Sequence, residues 1–83
     1  MKTLIYFMPD FVDLARKLRE NYIAHRHEKT DIISEEETND IAYAREMLYD
    51  EAFFIEDSET VIIHDIASGY TRRCPVSEVL YRD

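Results

Sequence analysis

Eighty-three residues, 46% of them hydrophobic, with six Tyr and four Phe, carry enough apolar surface for one compact core, which argues against both a multidomain and a disordered chain. Eighteen acids against ten Lys and Arg give a net charge of −8, so direct attraction to nucleic-acid phosphates or anionic membranes is disfavoured and a basic protein is the favoured partner. The single cysteine, Cys74, excludes an internal disulfide, and the short apolar run near Lys2 fits neither a signal sequence nor a membrane span, so the expected location is the cytoplasm.

In chain order, Thr3 to Met8 reads as a strand. Leu4, Ile5, Tyr6, Phe7 and Met8 form an unbroken apolar run, the pattern of an interior strand covered on both faces. Pro9 stops it, and Asp10 is placed to cap a helix from about Pro9 to about Ala24. Phe11, Leu14, Ala15, Leu18 and Tyr22 give that helix its apolar stripe. Arg16, Lys17, Arg19 and Arg26 make its outer face basic; a solvated face is the ordinary explanation, with phosphate binding as the alternative.

His25 to Asp31 is polar and reads as a connector. His25, His27, Glu28 and Asp31 are the nearest approach to a metal-ligand set, although ligands two residues apart converge only if the loop curls. Ser34-Glu35-Glu36-Glu37 has the form of a capping box, which predicts a second helix to about Asp50 with Ile41, Ala44 and Leu48 on its buried face.

Phe53 to Glu56, Thr60 to Ile66 and Tyr70 to Cys74 read as three strands of an antiparallel meander. If Ser68-Gly69 is a two-residue turn, Asp65 faces Arg72 as an ion pair, His64 faces Arg73 and Ile63 faces Cys74. The same alternation puts Cys74 and His64 on opposite faces, which disfavours a thiolate-imidazole pair. After Pro75, Val76, Val79 and Leu80 are expected to pack a short helical turn onto the core. The sum is a single α+β domain over residues 1–83, of order β-α-α-β-β-β, with a mostly antiparallel sheet and two helices on one face.

No phosphate loop, nucleophile elbow or dinucleotide pattern occurs; Gly69 is the only glycine. With no cofactor implied, catalysis is the least supported class. The acids are unevenly placed: residues 28–59 hold twelve acids and two bases, the other 51 residues six and eight, or −10 and +2. Glu36, Asp40, Glu46, Asp50, Glu56, Asp57 and Glu59, with Tyr43 beside them, are therefore the candidate partner-binding residues. The expected function is a small non-catalytic regulator that occupies a basic protein surface. By analogy of composition it is an inhibitor of phage or mobile-element type or a nucleic-acid mimic, with a nucleic-acid-binding protein as one such partner. The alternative is an assembly protein, a homodimer or a subunit, joined through a sheet edge marked by Thr71, Arg72 and Arg73.

Overall fold

The computed structural model describes residues 1–26, 28–38 and 40–81. Five strands form one sheet in the order β2-β1-β3-β4-β5, where β1 is Lys2–Phe7, β2 Lys29–Ser34, β3 Glu51–Ile55, β4 Thr60–Asp65 and β5 Thr71–Pro75. A 3-10 turn over Pro9–Phe11 leads into α1, Val12–Arg26; α2 is Ile41–Glu46 and α3 is Val76–Val79. The α+β class and the order of the expected elements are as the sequence predicts, with one strand, β2, added between the first two helices. The sheet is mixed. β3, β4 and β5 form the antiparallel meander, whereas β1 runs parallel to both β2 and β3.

The run Leu4 to Phe7 is buried because β1 has a strand on either side and a helix over each face. Ile5, Phe7, Phe53, Ile55, Val61, Ile63 and Cys74 meet Ala15, Leu18 and Tyr22 of α1 and Val76 of α3. On the opposite face Leu4, Tyr6 and Ala52 meet Ala44 of α2. The two main helices thus lie on opposite faces, not on one. From β1 the chain steps outward to β2 and then back across β1 to β3, and crossovers of one hand taken in opposite directions leave their helices on opposite faces.

Local chemistry explains the other departures. Asp10 does not cap: the turn at Pro9 follows Met8 with no side-chain cap hydrogen bond. Residues 29–31 belong to β2, not to a connector. Thr30 is fully buried there, its hydroxyl donating to the Glu28 carbonyl at 3.4 Å, so a polar side chain fills an interior position.

The Ser34 capping box becomes a turn. Glu35 N donates to the Phe7 carbonyl at 2.8 Å, which prolongs the ladder through Ser34, and Ser34 Oγ accepts from Glu36 N at 3.2 Å rather than from Glu37. Asp40 is the cap in fact, its carboxylate accepting from Ala42 N at 2.9 Å. The helix is correspondingly short. Leu48, expected on its buried stripe, sits beyond its end at φ 64° and is 79% exposed, while Tyr49 N closes back on the Ala44 carbonyl at 2.9 Å.

The β4–β5 register is shifted by two residues from the expected one: His64 faces Thr71, Ile63 faces Arg72, Ile62 faces Arg73 and Val61 faces Cys74. Asp65 explains the shift. Its carboxylate accepts from Ala67 N at 3.0 Å and Ser68 N at 3.2 Å, and its carbonyl accepts from Gly69 N at 2.9 Å. It builds a longer turn, with Gly69 at φ 76°, and forms no ion pair with Arg72. A shift of two preserves which face each side chain occupies, so Cys74 still points inward.

Candidate binding surface at the carboxyl end of the sheet

The candidate acids divide between the two ends of the sheet because α2 runs from one end to the other. Glu36 and Asp40 lie on the connection leaving β2, and Glu56, Asp57 and Glu59 on the turn leaving β3. All five are exposed at the carboxyl end of the parallel strands. Asp10, after β1, and Glu35 and Glu37, after β2, join them there. No stretch-by-stretch count of charge groups Asp10 with the rest; only the placement of β1 between β2 and β3 does so.

Glu46 and Asp50 fall at the amino end. Asp50 is engaged there, its carboxylate accepting from Lys2 N at 2.7 Å. Tyr43 is half-buried against the Leu4, Tyr6, Ala44 and Ala52 cluster, so it serves packing and offers limited contact area.

Among the carboxyl-end acids, Asp57 organises its own backbone. Asp57 Oδ1 accepts from Glu59 N at 2.8 Å, and this bond holds the exposed Asp57 carboxyl below its ordinary pKa. Glu56 pairs with Arg73 at 2.7 Å in an exposed salt bridge, which neutralises little of the surface. The crevice beyond the carboxyl ends of parallel strands, on either side of the strand where winding reverses, is the ordinary place for a ligand in such sheets. Here its acids can repel anions and attract cations over about 8 to 10 Å in physiological salt.

The amino end is built differently. Arg26 reaches Glu28 at 2.7 Å and Glu51 at 3.0 Å, and its guanidinium lies 4.8 Å from the Tyr22 ring centre. Burial disfavours its charge, but Glu51 and Glu28 more than compensate and raise its pKa. Thr3 Oγ1 donates to the Glu51 carboxylate at 2.8 Å. Arg26 is therefore not part of the exposed basic face expected with Arg16, Lys17 and Arg19, which are exposed. Arg19 also donates to the Thr30 carbonyl at 3.1 Å.

The nearest approach to a metal-ligand set in the sequence does not assemble among the described residues. His25 stacks on Tyr81, Glu28 holds Arg26 and Asp31 accepts from the Tyr49 hydroxyl at 2.7 Å, while His27 lies outside the described residues. No group of three or more His, Cys, Asp and Glu among the described residues is placed to hold a metal. His64 Nδ1 lies 2.7 Å from Thr71 Oγ1 on the α2 face, and Cys74 is buried on the α1 face, where desolvation raises its thiol pKa. Among the described residues no helix is long and apolar enough to cross a membrane. Compared with protein-family models, with curated proteins and with solved structures, the chain matches none.

Proposed function

We propose that this protein is a non-catalytic binding protein that engages a basic surface of a partner protein through the carboxyl end of its sheet. The observation that carries this is the gathering of acids from three separate connections, after β1, β2 and β3, onto one end. A field of one sign raises association rate and selects orientation, and the connections leaving the three parallel strands bring its charges to one end. A nucleic-acid-binding protein has the complementary basic surface, which makes an inhibitor or a mimic of the phosphate backbone the most specific form of the proposal.

Retention of host proteins on the immobilised chain tests it, at low and high salt, beside two variants. One neutralises Glu36, Glu37, Glu56 and Glu59 as glutamines; the other neutralises Glu46 and Asp50 as glutamine and asparagine. A basic partner lost with salt and with the first variant, but kept by the second, supports the proposal. Equal retention by both variants rejects it.

A second reading rests on β5, which is a sheet edge with Thr71, Arg72 and Arg73 exposed. In that reading β5 pairs with another copy or another subunit. A mass that rises with concentration and ignores salt favours it over electrostatic capture.

A further inference from the structure

A cavity of about 230 Å³ opens on the α1 face at the amino end of the sheet. At about 30 Å³ per water in the liquid, that is room for seven or eight waters, or one organic molecule of roughly ten heavy atoms. Its apolar lining comes from Phe53 and Ile63 of the sheet and Val79 of α3, and Tyr81 forms one wall. That wall is fixed. Asn21 donates to the Tyr81 carbonyl and accepts from its N–H, each at 2.8 Å, and the ring packs edge-on to Tyr22 and flat on His25, both at 5.6 Å.

Four charged side chains line the cavity: Arg26, Glu51, Arg72 and Glu78. The first two hold each other and are held in turn by Glu28 and Thr3. The other two are different. Among the described residues neither Arg72 nor Glu78 has an ion-pair partner, although both face the same space from different walls, Arg72 from β5 and Glu78 from α3. The strand alternation places Arg72 on the same sheet face as Ile63, Phe53 and Cys74, where it stands exposed on the edge strand at the mouth of the cavity.

We propose that this cavity binds a free α-amino acid with an apolar side chain. Its carboxylate would lie on the Arg72 guanidinium, which matches the planar two-oxygen geometry. Its ammonium group lies toward Glu78, and its side chain rests on Phe53, Ile63 and Val79. Such a site has the usual composition of small-molecule pockets, an apolar floor with a few convergent polar groups. The clipped Tyr81 wall is formed before the ligand arrives, which lowers the ordering cost of binding.

Leucine and phenylalanine, titrated to about 10 mM against the labelled protein with amide shifts as readout, test this. The expected result is saturable movement of the Arg72, Glu78 and Tyr81 signals, with affinity about ten-fold weaker in Arg72→Gln. Glu78→Gln should weaken the amino acid and leave 4-methylpentanoate, which lacks the ammonium group, unchanged. Asn21→Ala, which frees the wall without touching the charges, should weaken both ligands. Absence of saturable shifts with either amino acid overturns the proposal, as does equal binding by Arg72→Gln. If wild type binds neither and Arg72→Gln self-associates, Arg72 is an inward charge guarding a sheet edge.

Discussion

The two ends of the sheet handle charge in opposite ways. At the amino end Arg26 is shared between Glu28 and Glu51, Lys2 donates to the Met47 carbonyl at 2.7 Å, and Tyr49 donates to Asp31. The charges of the Arg26, Glu28 and Glu51 group are matched and partly desolvated, whereas Arg72 and Glu78 at the mouth of the nearby cavity are not. At the carboxyl end the acids stand in water, with the exposed Arg73–Glu56 bridge among them. Matched, half-buried charges serve a fold, because removing one strands the others; unmatched exposed charges cost little to remove and are free to meet a partner.

Alkaline titration should break the amino end outright. Burial raises the pKa of Tyr22 and of Tyr49 well above the ordinary 10.0, and the Asp31 carboxylate adds to the shift at Tyr49. A phenol whose folded pKa exceeds its unfolded value leaves stability intact below about pH 10 and removes it as pH climbs toward the folded value. Tyrosinate absorbance should therefore show Tyr22 and Tyr49 ionising together with loss of the fold. Ionisation of Tyr22 and Tyr49 before any unfolding would contradict that.

Arg26→Met comes next. It keeps most of the stem but takes from Glu28 and Glu51 the guanidinium they share, and should cost about 2 to 3 kcal/mol in denaturant unfolding. A loss under about 0.5 kcal/mol would place this network with ordinary surface pairs and erase the contrast between the ends. Leu48→Gly should act the other way. A left-handed backbone at an exposed leucine is strained, so glycine should raise stability by about 1 kcal/mol; a loss would mean that Leu48 makes contacts worth more than the strain.

The smallest effect belongs to the carboxyl end. Changing Glu36, Glu37 and Glu59 to glutamine should move stability by less than about 0.5 kcal/mol, with any gain due to relieved repulsion. A large destabilisation would show that these acids serve the fold.

Much of the architecture was legible because its signals were strong and local. Leu4 to Phe7 announced an interior strand, the stripe through Ala15, Leu18 and Tyr22 announced α1, and alternation around Gly69 announced the meander. β2 was hidden because Lys29–Ser34 has only Ile32 and Ile33 as apolar residues and buries a threonine instead. The Ser34 capping box misled because ladder pairing at Glu35 outcompeted a local helix start. The Asp65–Arg72 pair failed because a side chain that caps its own turn is worth more than an exposed cross-strand bridge. The candidate surface was half legible: Glu36, Asp40, Glu56, Asp57 and Glu59 converge at one end. Glu46 and Asp50 were excluded, and Asp10 was missed, by topology that no local pattern encodes.

The interior position of β1 also sets an order of assembly. Both of its flanks are parallel partners reached through long crossovers, so its apolar edges stay open until residues near Glu51 have been added. The β3–β4–β5 meander, by contrast, closes through short turns. The slow step of folding should then be the threading of Leu4–Phe7 between two partners, with that segment the site of off-pathway sticking in its absence.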